Sequence, residues 1–520
     1  MISKILSYKN KLLLLFLFTF SIAINQYYGN RGVFPIDSFL IFDSAFNIIS
    51  GNHPFKDYWA ITGFILDYIQ SFIFLVLGIN WFSYVFHASV LNMILTLYTF
   101  YFFSKVGLNA FYAFIYSLGV SILAYPSAGT PFIDHHAVIF SVMALYSLSI
   151  GILLKKNLFW FLVPLFLIFS FFSKQIPSPY LTILFTTIII FYFFYTKNLN
   201  KENLLYLFYG FFFSFLSIIA LFFINEIPVK NFLVQYIFYP FSLGNDRILG
   251  LNIDFKNLIG QFKFIYFALF PMVISLIFLI KTKEKSLLQK KELVISILFI
   301  GSIMIFIYCQ LLTKNQVLIF FLIPISAAFS HAYITKYFNK KYLVYLILLI
   351  FIFSTAKYHI RFNHNKKFME LVNADFTLAV KARQLDNKLK GLKWISPYYL
   401  NEPSKEIDLL IDTKKILSNS SERKIIITDY LFFSSLLKNQ FASPNKWYDD
   451  LSVPNKQNKF YGEYKKFFLS KIKDNKIKYV YLLRKDQDIF FKQFIDDKEC
   501  IISKELNEIL LELELNKCNF

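Results

Sequence analysis

The sequence predicts a polytopic α-helical membrane protein of about eleven transmembrane helices, N-terminus inside and C-terminus outside, with a C-terminal soluble α/β domain. Three observations predict it. Of 520 residues 56% are hydrophobic, 20% aromatic and 17% charged, against roughly 25% charged in a soluble globular protein. Apolar runs of spanning length recur through the first 357 positions, with basic residues gathered in alternate connections. After Lys357 the text turns polar and alternates helical with strand-like stretches. Residues 1–357 therefore read as a membrane domain and 358–520 as an extracytoplasmic α/β domain.

The net charge of +21 invites a nucleic-acid reading, which the placement of the charges excludes: they sit in the loops of a membrane chain and in its polar tail. Of the three cysteines, Cys309 lies in an apolar run and Cys500 and Cys518 near the C-terminus. No CxxC spacing indicates a zinc site, and an outer tail would allow Cys500 and Cys518 to pair.

The first run, 12–24, follows Lys4, Lys9 and Lys11, and no small-x-small cleavage site succeeds it, so it reads as an uncleaved first span with a cytoplasmic N-terminus. Further runs occupy 82–104, 109–126, 135–154, 158–173, 178–195, 203–224, 263–280, 292–311, 315–335 and 341–357. Residues 64–79 are apolar but interrupted by Asp67 and Gln70, and the clean portion, 71–79, is too short to span. Charge decides its place. With 64–79 lying along the outer surface, Lys105, Lys155, Lys156, Lys197, Lys201, the run 281–291, Lys336, Lys340 and Lys341 all fall on the cytoplasmic side; with 64–79 crossing, nearly all of them face outward. The positive-inside rule favours the first arrangement.

The outer connections are then 29–81, 127–134, 174–177, 225–262 and 312–314. Lys174 and Lys314 break the bias, each at the outer end of a span. Either they snorkel to the interface or they neutralise an anion there. In the tail, helices are expected at 373–390, 404–419, 459–474 and 505–515, and strands at 424–430 and 476–484.

Chemistry concentrates in the outer connections. In the first, Asp37 comes just after the first span, with Pro35 before it and Asp43, His53, Lys56, Asp57, Tyr58 and Trp59 following. A carboxylate just above the bilayer suits a general base for an acceptor hydroxyl or a metal ligand; Pro-Ile-Asp-Ser is equally a helix start with Asp37 as its cap. The second connection ends in Asp134-His135-His136. Neighbours on a helix point about 100° apart, so the triplet cannot grip one ion alone; a metal needs a partner from elsewhere, with Asp37 the candidate. Lys174 and Gln175 close the fifth span, and Asp246 and Arg247 stand in the long connection 225–262. An ammonium at such a place can act as a point charge for phosphate.

Together these features resemble the GT-C superfamily of integral-membrane glycosyltransferases, such as the protein O-mannosyltransferases and the aminoarabinose transferases that modify lipid A. The residues carrying the resemblance are Asp37 after the first span and GNHPFKDYWAITGFILDYIQ (51–70), similar to the family's G-x-P-(x)-D-Y-x … G-P-L stretch before a juxtamembrane helix. Asp134-His135-His136 and Ser173-Lys174-Gln175 stand where those enzymes place their second outer loop and a basic residue. The resemblance covers roughly 1–195. Two departures stand out: many relatives have Asp-Glu where this chain has Asp37-Ser38, and the usual Gly-Pro-Leu is Gly63-Phe64-Ile65. The choice of base among Asp37, Asp43 and Asp57 therefore stays open, with Asp37 taken first.

The resemblance implies transfer of a sugar, with inversion, from a polyprenyl-phosphate donor to an acceptor hydroxyl of a lipid, glycan or protein on the outer side of a bacterial inner or plasma membrane. Asp37 would be the base, and Lys174, Lys314 and Arg247 would stabilise the leaving phosphate. Asp57, Asp134 and His135 would contact substrate, and Asp37, Asp134 and His135 could hold an optional divalent metal. The rival classes are a transporter or flippase, which would favour inverted repeats and mid-membrane charge, and a polysaccharide polymerase or ligase, which would carry a late outer loop richer in Arg and His. In intact cells, a membrane-impermeant thiol reagent is expected to label Asn52→Cys but not Lys105→Cys or Lys285→Cys. Labelling of Lys285→Cys from outside would instead place 64–79 across the bilayer.

Overall fold

The computed structural model describes residues 2–197, 201–251, 254–313, 319–437, 443–484, 488–495, 498–515 and 518. The membrane part begins with α1 (Ile2–Gly29), the short α2 (Pro35–Ser38) and α3 (Phe42–Ile49), then α4 (Phe64–Leu77), α5 (Trp81–Val106) and α6 (Ala110–Leu123). It continues with α7 (Ile133–Leu154), α8 (Asn157–Ser173), α9 (Ser178–Thr196) and α10 (Lys201–Ile224). A winding connection holds α11 (Val229–Phe232), a π-helical turn and α12 (Tyr239–Leu249); α13 (Lys263–Lys281), α14 (Leu287–Thr313), α15 (Leu322–Tyr337) and α16 (Lys341–Tyr358) follow.

Among the described residues eight helices are long and apolar enough to cross a membrane by length and composition: α1, α5, α7, α9, α10, α13, α14 and α16. This is the make-up of a helical membrane protein. Each of the eleven apolar runs falls on a helix, but α6, α8 and α15 have 14, 17 and 16 residues, below the roughly 20 of a full span. The start of the run 315–335 lies outside the described residues.

The bundle is arranged around α7, whose residues are buried almost throughout. It packs on α8, α5 and α14. Small residues make these approaches close: Ser141 and Ser170 share a hydrogen bond of 2.8 Å between α7 and α8, and at Gly210 a methyl group would strike the Phe161 carbonyl of α8. By contrast α10 shows most of its Phe-rich surface outward, as a helix facing lipid does.

Helix α4 accounts for the interruption in 64–79. Phe72, Leu75 and Val76 face outward, while Asp67, Gln70 and Phe74 are buried on the inner face. The polar residues that break the apolar run thus point into protein, and fourteen residues at about 1.5 Å each cover only two thirds of a bilayer core. The helix is entered through Gly63, at φ +75°, where a side chain would collide with Ile133.

Beyond Tyr358 a π-helical turn leads into the tail. Strands β1 (Val380–Lys381) and β2 (Lys393–Trp394) pair antiparallel, and β2 also bonds the chain leaving α1, through Gly32 N–H to the Lys393 carbonyl and Val33 N–H to the Ile395 carbonyl, each 2.9 Å. Next come α17 (Pro403–Asn419), β3 (Lys424–Ile427), α18 (Phe433–Leu436), α19 (Tyr461–Asp474), β4 (Tyr479–Leu483), α20 (Asp488–Lys492), β5 (Ile502–Glu505) and β6 (Leu510–Glu514). The sheet order is β3-β4-β6-β5, with β3 and β4 parallel and the remaining pairs antiparallel.

Both faces of the parallel pair are covered, so beyond Lys424 its strands run apolar or aromatic rather than alternating with polar residues. Ile426, Tyr481 and Leu483 share a core with Ile407, Leu410 and Leu417 of α17. Ile425, Val480 and Leu482 pack with Tyr464, Phe468 and Ile472 of α19, which recur at i, i+4 and i+8. Cys500 and Cys518 form a disulfide.

Two tail expectations are overturned. Residues 373–390 are not a helix but turns, β1 and two short 3-10 turns after it, because Val380 and Lys381 pair with β2 and Asp386 caps a turn through the Lys388 N–H. Residues 505–515 form the end of β5, a turn and β6. Asn507 Oδ1 accepts the N–H groups of Ile509 and Leu510 and closes the turn. Leu510 and Leu513 then fall on opposite faces of the sheet, each entering one of its two cores.

The tail is clasped to the first connection. Lys446 Nζ lies 2.8 Å from both carboxylate oxygens of Asp67, with side chains 1% and 0% exposed, and Ser44 donates to the same carboxylate at 2.7 Å. Asp43 accepts the N–H groups of Ser434 and Ser435 at 3.0 Å, and Trp447 Nε1 donates to the Leu40 carbonyl at 2.9 Å. Removing one partner from a buried pair leaves an uncompensated charge, at a cost of about 3–5 kcal/mol. Asp67→Asn is therefore expected to lower the thermal-inactivation midpoint sharply, whereas Asp67→Leu with Lys446→Met recovers most of the loss. Equal midpoints for Asp67→Asn and wild type would disprove the clasp.

Candidate functional site

At the end of the bundle that carries the tail lies a cavity of about 820 Å³, within the size range of small-molecule sites. Most of its wall comes from four parts of the chain: the first connection with Asp37, Leu40 and Thr62; the α8–α9 junction with Lys174, Gln175 and Tyr180; the α11–α12 connection with Phe241 and Arg247; and the tail with Trp447, Asp449 and Asp450; Ile133 of α7 and Leu312 of α14 add to it. Its polar lining includes Asp37, Lys174, Gln175, Arg247, Asp449 and Asp450, and most of the remainder is apolar. Its apolar wall runs to Ile183 and Phe241, which are 68% and 69% exposed on the outside of the bundle, so the cavity has a side opening among lipid-type surface.

Asp37 reaches the cavity because α2 is capped by another residue. The N-cap is Phe34, which offers no side-chain acceptor, and Pro35 opens the helix. The Phe34 N–H donates to Ser38 Oγ at 2.9 Å, so the capping role open to Asp37 in the sequence falls to Ser38. Asp37 is half-buried at the cavity, and its pKa is raised to about 7. Burial is the main cause; the carboxylates of Asp134, Asp449 and Glu370 add to it, and Lys174 opposes it.

Asp134 and Lys174 form an ion pair. Asp134 lies in the first turn of α7 and Lys174 is the C-cap of α8, so each charge also complements the dipole of its own helix end. Gln175 is fixed by two donated hydrogen bonds, to the Ile61 carbonyl at 2.7 Å and the Tyr236 carbonyl at 2.8 Å. Arg247, half-buried in the last turn of α12, supplies a second cation to the cavity wall. Asp449 accepts from the N–H groups of Leu451 and Ser452 and from Ser452 Oγ, which holds the turn that carries Asp450.

Of the residues singled out in the sequence, Asp37, Lys174 and Arg247 line the cavity, and Asp134 stands behind Lys174. His135 does not line it. Its ring stacks on Tyr125 at 4.8 Å and its Nε2 lies 3.3 Å from Ser127 Oγ. His136 turns a third way, to Tyr125 and His87. The helical rotation per residue thus separates the triplet, and Asp37, Asp134 and His135 do not come together as a metal set. Among the described residues no three His, Cys, Asp or Glu side chains are arranged to hold a metal ion.

Asp57 is also away from the cavity, accepting the His53 N–H at 2.8 Å and lying 3.9 Å from Lys471. Asp43 caps α18, so of the three carboxylates open to the role of base, Asp37 is the one at the cavity. Lys314 lies outside the described residues. Sequence reasoning missed Trp447, Asp449 and Asp450. The one available signal was an aromatic pair followed by two acids, WYDD (447–450), in an otherwise basic tail.

No protein-family model and no curated protein matches the chain.

A raised carboxylate pKa means that the folded protein holds the Asp37 proton more tightly than the unfolded chain, whose value is about 3.9. The penalty for ionised Asp37 is absent below the unfolded pKa, grows as pH rises, and is complete above about 7. Asp37→Asn is expected to match wild type in thermal stability near pH 4 and to exceed it at pH 8. A difference that is the same at both values would show that Asp37 titrates normally.

Proposed function

We propose that this chain is an inverting glycosyltransferase of GT-C type, which moves a sugar from a polyprenyl-phosphate donor to an acceptor hydroxyl at the outer face of the membrane. The observation that carries the proposal is that Asp37, with its raised pKa, lines together with Lys174 and Arg247 a largely apolar cavity whose wall reaches the exposed Ile183 and Phe241. A donor of this class has the same division, a charged head on a long hydrocarbon tail. With the shorter α6, α8 and α15 counted as spans beside the eight longer helices and α4 along the outer surface, the positive-inside rule supports an outward orientation of this end, and the Cys500–Cys518 disulfide suits an oxidising compartment.

In the reaction, the prenyl chain lies along the apolar wall and leaves through the side opening. The acceptor oxygen attacks the anomeric carbon from the face opposite the phosphate. Its proton passes to the Asp37 carboxylate as the new C–O bond forms and the bond between anomeric carbon and phosphate oxygen breaks. The departing polyprenyl phosphate gains negative charge, which Lys174 and Arg247 stabilise. Asp134 holds Lys174 in place, and Gln175, fixed by two carbonyls, positions the junction that carries it. A base with a pKa near the working pH is well matched to this step.

Transfer by membranes or purified protein is expected to rise with pH along a limb near 7 and then to level. Asp37→Asn, inserted normally, is expected to lose about 10²–10⁴-fold of kcat. Wild-type transfer by Asp37→Asn would refute the role of Asp37 as base.

A further inference from the structure

The charges around the cavity also constrain the sugar. Among the described residues its lining carries two cations, Lys174 and Arg247. In the proposed reaction both are engaged by the single negative charge of the sugar phosphodiester, and the charge of Lys174 is already shared with Asp134. Against them stand three carboxylates that also line the cavity, Asp37 from the first connection and Asp449 and Asp450 from the tail. Asp449 is held by three donated hydrogen bonds, while Asp450, next in sequence, is exposed and faces the cavity. The crowding has a measurable sign, since Asp449 and Asp134 both help to raise the Asp37 pKa.

The transferred ring must sit beside Asp37, because the proton that Asp37 takes comes from the oxygen attacking that ring. It therefore also sits within the field of Asp449. A second negative charge on the sugar finds no further cation among the described residues of the cavity lining, and three carboxylates there. A hydroxyl-rich ring meets the opposite situation: carboxylates accept hydroxyl hydrogen bonds, and an amine on the ring gains from the same field.

Resting on the glycosyl-transfer reading, we propose that the site takes a donor whose sugar bears no carboxylate, neutral or amine-bearing, and that Asp449 and Asp450 of the tail exclude acidic sugars by like-charge repulsion. Selection by a built-in repulsive element of this kind costs the wrong ligand without tightening the right one. Asp450 is the residue to vary: it is exposed, so its replacement leaves packing intact, whereas Asp449 also holds a turn.

The test uses the full-length protein in detergent and two donors with the same prenyl chain, a polyprenyl-phosphate hexose and the corresponding polyprenyl-phosphate hexuronic acid. Wild type is expected to favour the hexose donor in kcat/KM by about a hundredfold, and Asp450→Asn to narrow that ratio by about tenfold, with Asp450→Lys narrowing it further. A wild-type protein that uses the hexuronic donor as well as the hexose donor overturns the proposal, as does a ratio that neither substitution moves. Should wild type transfer neither sugar, the glycosyl-transfer reading fails, and equilibrium binding of the two donors then decides the inference separately. Tighter binding of the hexose donor, narrowed in Asp450→Asn, upholds charge exclusion; equal binding, or binding of neither, overturns it.

Discussion

Asp67 and Lys446 are 379 positions apart in sequence, and both are withdrawn from water in the folded chain. Neither charge is tolerable there without the other, so the tail and α4 cannot be displaced independently. Everything at the cavity follows from that constraint. Lys446 is followed directly by Trp447, whose indole N–H is bonded to Leu40, and then by the turn carrying Asp449 and Asp450. On the other side, α4 leads back through Gly63 to Thr62 and Ile61, which accept bonds from Lys446 and Gln175. One buried pair therefore registers two walls of the cavity, from opposite ends of the chain, against each other.

A second pair does the same for the bundle. Asp134 and Lys174 join the start of α7 to the end of α8 and set a fixed dipolar background against which Asp37 titrates. The raised pKa of Asp37 is thus a property of the assembled site. Burial is its largest cause, and the charges that modulate it come from α7, the α8–α9 junction and the tail. In the proposed reaction this arrangement has a use, because a carboxylate that is readily protonated near neutrality is a better proton acceptor than one with an ordinary value. The same surplus of carboxylates would also shape which sugars can enter.

The helices of the first 357 residues were legible because an apolar run has one economical fate near a bilayer. Their tally was less so: α6, α8 and α15 are apolar but short, and length alone does not separate a span from a helix packed inside a bundle. In the tail, α17, β3, α19 and β4 were legible from periodicity, since each buries a regular face. Residues 373–390 and 505–515 were misread as helices because local patterns there, such as ELNEILLELEL, satisfy more than one period. The choice was made by partners, β2 and the Asn30–Val33 segment in one case, β4 and β5 in the other.

By itself the sequence determined the class of protein, the helical runs, and a short set of unusual polar residues: Asp37, Asp134, Lys174 and Arg247. Composition and local spacing suffice for these, because apolar runs and misplaced charges are costly wherever they occur. The tertiary structure alone decided which of those residues meet. It sent His135 and Asp57 elsewhere, gave the capping of α2 to Ser38, and brought Asp449 and Asp450 from the tail to the cavity. The physical reason is that a site is made by long-range pairing of buried charges and hydrogen bonds, and nothing in the neighbourhood of Asp67 or Lys446 along the chain announces the other.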